Sequence, residues 1–297
     1  MHASSLLDEA IAAWLRESAE KLEAEFNADV LSYVGPIHEA FLRPFRDFIE
    51  HIAKATDRKS LALFLNTGGG SVQAAEKMVE IMRHHFADVS FVVPDMAMSA
   101  GTVLAMSGNR IFMDYSSSLG PIDPQVLVRR DEGEAWVPAL GYLDKVEELI
   151  KKSADGTLTP AEYVMLKELD LAILRAHEQA KDLSIELMKD WLVTYKFKTW
   201  TKHRTDRLKK GKPVTNAEKE ERAREIADMF CNNKLWHSHG RLIGVGKLTG
   251  ILRLEIEDYS SDDNRRGLIR SYHDVLTDFM ARTGTMFCIH SAHRSTL

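Results

Sequence analysis

Leu61-Ala-Leu-Phe-Leu65-Asn-Thr-Gly-Gly-Gly-Ser-Val72 decides how the rest of the 297-residue chain is read. Its first five residues form an unbroken apolar run between Lys59 and Asn66. A strand buried on both faces, as in a parallel sheet, has that texture, whereas a half-exposed strand alternates. Three glycines follow, and then Val72, Ala75, Val79 and Met82 recur at helical spacing. Val89 to Val93 repeats the apolar run and stops at Pro94. A helix of small residues begins near Ser99, and Arg110 to Met113 reads as a third strand. Strand, turn, helix and strand in that order predict an α/β fold with a mostly parallel sheet.

On the N-terminal side, Leu6, Leu7, Ala10, Ile11, Trp14, Leu15 and Leu22 predict an amphipathic helix over residues 5–26. A second helix follows Pro36, with Ile37, Phe41, Phe45, Phe48, Ile49 and Ile52 on one side. Residues 1–55 therefore read as a helical segment. Residues 56–195 read as the core, ending in one long helix. Thr159-Pro-Ala-Glu162 opens that helix as a capping box, and an apolar stripe runs from Leu166 through Leu187 toward Tyr195. Eight lysines and arginines between Lys196 and Lys212 come without an aromatic platform, so 196–214 reads as a solvated basic linker and not as a nucleic-acid surface. Thr215-Asn-Ala-Glu218 opens a further helix, and 215–297 is expected to be a helical or mixed segment that completes the site.

Composition narrows the class. With 44% apolar and 28% charged residues, 17 glycines, 8 prolines and 2 cysteines, collagen-like, disordered and disulfide-scaffold chains are excluded. A net charge of −5 leaves no general footprint for a polyanion. Cys231 and Cys288 have no CxxC partner, which fits a reducing cytoplasm. The 12 histidines are scattered without a His-Glu-x-x-His pattern, so neither a metal nor a cofactor is expected. Met1 to Glu9 does not read as a signal peptide, and Val89 to Met106 is interrupted by Pro94 and Asp95. A soluble cytoplasmic protein without a membrane span is the expectation.

Two strand-to-helix junctions carry chemistry. In Asn66-Thr-Gly-Gly-Gly-Ser-Val72 the glycines let backbone N–H groups approach a bound oxygen, and the helix N-terminus adds a positive field. A phosphate cradle is disfavoured because Gly-x-Gly-x-x-Gly fails after Gly70 and no Gly-Lys-Ser/Thr follows. In Asp95-Met-Ala-Met-Ser99-Ala-Gly-Thr102, a serine among small residues sits where open α/β folds place ligands.

Together with Ser118-Leu-Gly-Pro-Ile-Asp-Pro-Gln125, these motifs make residues 61–126 resemble the ClpP/crotonase-fold serine peptidases. That group includes the Clp proteolytic subunit, signal peptide peptidase A and, above all, the serine dehydrogenase proteinase family. The resemblance implies a ClpP/crotonase-like core decorated by helices at both ends. It also implies an ATP-independent serine endopeptidase acting on peptides or proteins and assembling as a homo-oligomer. Ser99 would be the nucleophile, with backbone N–H groups of Gly69, Gly70 and Ala100 forming the oxyanion hole.

The base is where the pattern departs. Ile122-Asp123-Pro124 stands where the Clp subunit carries its histidine, and none occurs between His85 and His177. The order Ser, Asp, His described for the serine dehydrogenase proteinase family makes Asp123 the orienting acid. Trp236-His-Ser-His239-Gly-Arg241 then offers His239 first and His237 second as the base. A lysine base of the signal peptide peptidase A kind would come from Lys145, Lys151 or Lys152. Among these Lys145 has the more apolar neighbours, which a neutral catalytic amine needs. The rivals are a crotonase-fold acyl-CoA hydratase or isomerase and an inactive scaffold that binds partners. Most relatives carry an N-terminal membrane span, and its expected absence here argues against a role at the membrane.

Overall fold

The computed structural model describes residues 6–123, 125–130, 133–204 and 208–296. In chain order it contains α1 (Leu6–Phe26), β1 (Asp29–Val34), α2 (Leu42–Ala55), β2 (Ser60–Asn66), α3 (Val72–His85), β3 (Asp88–Val92), β4 (Met96–Ala97), α4 (Ala100–Ala105), β5 (Arg110–Met113) and β6 (Ser118–Leu119). There follow β7 (Gln125–Arg130), β8 (Gly133–Pro138), α5 (Ala139–Ala154), α6 (Pro160–Lys167), α7 (Leu171–Thr194), α8 (Asn216–Phe230), α9 (Asn233–Trp236), α10 (Val245–Gly250), β9 (Glu257–Asp258), α11 (Asp263–Thr283) and β10 (Cys288–His290).

Six strands form the main sheet in the order β10-β1-β2-β3-β5-β9, and every neighbouring pair is parallel except β10 with β1. The fold is thus α/β with a mostly parallel sheet, and the apolar runs at 61–65 and 89–93 supply its centre. Crossover helices cover both faces, as parallel pairing requires. One face carries Phe45, Phe48 and Ile49 of α2, Met78 and Met82 of α3, and Met188 and Leu192 of α7. Against the other, Leu15, Ala19 and Leu22 of α1 mesh with Ile269, Tyr272, Leu276 and Met280 of α11. Each large apolar side chain among them, fully buried, contributes about 1.5–3 kcal/mol, so both layers are held by burial.

Three sequence expectations need correction. The first 55 residues are not all helical: β1 lies inside them and pairs with β2 along its whole length. The second helix starts at Leu42, after a 3-10 turn over Glu39–Phe41, and not directly after Pro36. The single long helix before Tyr195 is two. Asp170 caps α7 by accepting from the N–H groups of Ala172 (2.8 Å) and Ile173 (3.3 Å), and an aspartate that captures backbone donors starts a new helix instead of continuing the old one. Both expected capping boxes, at Thr159 and Thr215, are present. The basic stretch closes on itself, with His203 N–H donating to the Lys212 carbonyl (3.0 Å) and Val214 N–H to that of Thr201 (3.0 Å). Its first lysine, Lys196, is buried.

Candidate active site

The two glycine- and serine-bearing junctions meet above the carboxyl ends of β2 and β3. Thr67, just past β2, locks onto β4: its N–H donates to the Met96 carbonyl (2.9 Å), and its carbonyl accepts from the Met98 N–H (3.0 Å). β4 also pairs in parallel with β6, Met96 opposite Ser118 and Ala97 opposite Leu119. The chain therefore reaches Ser99 with backbone partners on both sides and turns at once into α4.

Ser99 makes that turn with φ 51° and ψ −116°. A non-glycine residue there carries strain of about 1–3 kcal/mol, which persists only where surrounding structure enforces it. A serine at a strained strand-to-helix bend presents its hydroxyl outward, as nucleophile elbows do. Ser99 is half-buried, and among the described residues its hydroxyl has no hydrogen-bond partner.

Gly69 lies directly against it. With φ +106°, a Cβ at Gly69 would stand 2.8 Å from both the Met98 carbonyl oxygen and Ser99 Cβ. Gly70, at φ +144°, passes so close to Ile37 that a Cβ would overlap the Ile37 carbonyl. That contact is a bridge to the segment after β1: Ile37 N–H donates to the Gly69 carbonyl (2.9 Å), and Ser71 N–H to the Ile37 carbonyl (2.8 Å). Ser71 then caps α3, accepting from Ala74 N–H at 3.1 Å. Of the three expected oxyanion donors, the Gly69 N–H is held by Thr67 Oγ1 at 3.0 Å. Those of Gly70 and Ala100 have no acceptor among the described residues, and Ala100, as the first residue of α4, has none within its helix.

The stretch after β6 runs on beside this elbow. Gly120 N–H donates to the hydroxyl of Thr102 in α4 (2.9 Å). Asp123, three residues further, is buried, and its Oδ1 accepts from the N–H of Leu140 at the start of α5 (2.9 Å). The segment carrying His237 and His239 is drawn to the same stretch: Leu119 and Ile243 exchange backbone hydrogen bonds (3.1 and 2.8 Å), and Ile122 N–H donates to the Phe230 carbonyl (3.0 Å). His239 is half-buried, with an Nδ1 that is shielded from solvent and has no hydrogen-bond partner among the described residues. His237 is exposed in the left-handed conformation that ends α9.

The lysines lie apart from this arrangement. Lys145 is exposed on α5 with its Nζ 3.1 Å from both carboxylate oxygens of Glu148, so nothing desolvates the ammonium. Lys151 is exposed, and Lys152 pairs with Glu148 (3.1 Å) and Glu162 (2.6 Å).

One group escaped the sequence reading. His177, on α7, is fully buried, and among the described residues neither ring nitrogen has a hydrogen-bond partner. Its ring stacks on Tyr142 of α5, centroids 4.8 Å apart and planes 25° apart. Burial holds its affinity for a proton below that of a free imidazole, while Asp123 pulls the other way. The available signal was a histidine four residues after Ile173, on the apolar side of an otherwise ordinary helix.

A mostly parallel sheet with a strained serine elbow at its carboxyl edge, packed against a glycine turn, is the arrangement of a ClpP-like fold. Residues 45–227 match the family model described as ClpP-like SDH-type serine proteinase. More than half of the chain is matched, and the chain belongs to that family. Among curated proteins it is 29% identical over 177 residues to an uncharacterized protein of Methanocaldococcus jannaschii, covering 59% of this chain and 56% of that one. It is 33% identical over 79 residues to the ATP-dependent Clp protease proteolytic subunit of Streptococcus pneumoniae, covering 27% and 40%. The match with the archaeal protein thus spans little more than half of that protein's length. Among solved structures, a membrane-bound stomatin-specific protease mutant aligns at 21% identity and TM-score 0.32, over 42% of this chain and 63% of the other. The ClpP catalytic domain of Plasmodium falciparum aligns at 10% identity and TM-score 0.30, over 40% and 63%. Among the described residues no helix is long and apolar enough to cross a membrane.

Proposed function

We propose that the chain is an ATP-independent serine endopeptidase of the cytoplasm, working as a homo-oligomer on peptide or protein substrates. The observation that carries the reading is the strained Ser99 elbow packed against Gly69, with unpaired amides beside it. Ser99 Oγ attacks the peptide carbonyl and forms the new C–O bond. The Ala100 N–H and an amide of the Gly69–Gly70 turn take the developing negative charge, each donor contributing about 2.7–4 kcal/mol at the transition state. The Gly70 N–H is free for this role; that of Gly69 joins by leaving Thr67.

A serine hydroxyl is a weak nucleophile near neutral pH, so an imidazole must take its proton and return it to the leaving amine. His239 is assigned that task and Asp123 the orienting one. Support comes from the buried, unpartnered Nδ1 of His239 and from the backbone bonds that pull its segment against residues 119–122. Catalytic hydrogen bonds are often open until substrate arrives, which fits the unpartnered Ser99 hydroxyl. Water then hydrolyses the acyl-enzyme by the same route. Assembly draws support from α6, which turns Tyr163, Val164 and Met165 to solvent.

The test is Ser99→Ala. It removes one oxygen and leaves every backbone donor in place, so the protein is expected to stay folded while hydrolysis of a fluorescent casein falls to background. Fluorophosphonate labelling of the wild type, lost in the variant, reads the nucleophile directly. Casein hydrolysis that survives Ser99→Ala overturns the assignment.

A further inference from the structure

Two unpartnered nitrogens on one fully buried imidazole are costly, because each desolvated polar atom gives up its water without replacement. A phenyl ring would fill the volume beneath Tyr142 without that cost. Something other than packing therefore accounts for a histidine at position 177.

The neighbourhood supplies the reason. The first turn of α5 is bonded to Asp123 through the Leu140 N–H (2.9 Å) and stacked on His177 through Tyr142, two residues later. α7 packs against both α5 and β7, and β7 begins two residues after Asp123. His177 lies within the electrostatic reach of that buried carboxylate, and burial favours the neutral ring. A neutral imidazole has one N–H donor, and a carboxylate has about four lone-pair positions, so a carboxylate can accept from several donors at once.

We propose that His177 is a positioning residue of the same site: its ring N–H donates to Asp123 when substrate binds, fixing the carboxylate that orients the catalytic base. The proposal rests on the serine-peptidase reading and adds a residue to it. His177 acts only through Asp123 and never touches substrate. In the resting structure it is held in reserve, fixed by its Tyr142 stack and short of partners.

Substitution at this position separates chemistry from packing. His177→Phe keeps the ring and its stack while deleting both nitrogens, so it is expected to melt at or above the wild-type temperature, since two unsatisfied polar atoms leave the interior. The same variant is expected to react with a fluorophosphonate about tenfold more slowly or worse, through kinact, with KI within about twofold of wild type. His177→Asn, which restores a donor without a titratable ring, is expected to recover part of the lost rate. A Phe variant that labels at the wild-type rate overturns the proposal and leaves His177 a packing residue. If the Phe variant fails to fold, the Asn variant decides: a kinact no better than that of His177→Ala overturns it equally. Absence of labelling in the wild type would instead overturn the serine reading itself, so the two failures are distinguishable.

Discussion

The two halves of the site are built by different means. The half proposed to receive negative charge is made of backbone: Thr67 to Ser71 and Met96 to Ala100, laced by main-chain hydrogen bonds of 2.9 and 3.0 Å and by glycines pressed against Ser99 and Ile37. The half to which the proposal gives the proton is made of side chains: Asp123 and His177 flank the start of α5, and the segment that carries His239 is bonded to Leu119 and Ile122, just before Asp123. In the first, the Gly70 and Ala100 N–H groups have no acceptor among the described residues, while that of Gly69 is held by Thr67. In the second, His239 Nδ1 and both nitrogens of His177, like the Ser99 hydroxyl of the first, have no partners among the described residues. If the proposed roles hold, the contrast teaches that charge stabilisation is largely built into the backbone, whereas proton transfer has still to be assembled. Changes in the first half should act through geometry and cost stability as well as rate, whereas changes in the second should lower the rate and spare the fold.

Gly69→Ala strikes the first half hardest while leaving Ser99 in place. The new methyl would stand 2.8 Å from the Met98 carbonyl and from Ser99 Cβ, at a φ of +106° that an L-residue resists. Relief requires the elbow to move, so the amides lose their aim. Hydrolysis is expected to fall by about 10²–10³-fold, the loss that follows removal of an oxyanion donor, with about 1–3 kcal/mol of stability lost to strain. Casein hydrolysis and a urea melt read the two effects separately. Wild-type turnover in a destabilised protein would show that the glycine serves the fold alone, and the contrast between the halves would lose its sharper member.

The same division explains what could be read from the sequence. Oxyanion geometry is local: a run of glycines after an apolar strand, and a serine among small residues, are near-neighbour patterns with one physical cause each. Strands β2 and β3 announced themselves because burial on both faces leaves no room for polar residues. β1 did not, because Asp29 and Ser32 interrupt it. Asp29 is nonetheless fully buried, accepting from Thr56 Oγ1 at 2.7 Å and lying 3.4 Å from the Arg58 guanidinium, partners more than 25 residues downstream that no local window relates to it. His177 was hidden for the same reason. Along α7 it looks like one polar residue in an apolar stripe, and its importance lies in Asp123 and Tyr142, more than 30 residues away in the chain.

In the second half, His239→Ala removes the assigned base while leaving the elbow and its amides untouched. Loss of general-base assistance costs about 10²–10⁴-fold, short of the complete loss expected for Ser99→Ala, because backbone stabilisation of the oxyanion survives. Measured as kcat on casein, a loss confined to kcat with KM preserved sharpens the comparison. Turnover equal to wild type moves the proton to another group and takes His239 out of the site. Since His237 lies two residues away and is exposed, His237→Ala is the matched control, expected to keep wild-type kcat.

The smallest effect belongs to Lys145→Ala, and it tests whether the second half needs side chains gathered from afar at all. A lysine base must be stripped of water to be neutral, and the structure gives Lys145 an exposed place on α5 facing both oxygens of Glu148. Its removal should change stability little, as for any exposed helical pair, and leave hydrolysis within about twofold of wild type. Casein hydrolysis and melting temperature, measured beside those of His239→Ala, check both expectations. Collapse of the lysine variant to the Ser99→Ala background, with His239→Ala unaffected, would replace the imidazole with an amine. The proton half would then rest on a single helix, and the distinction between a preformed and an assembled half would disappear.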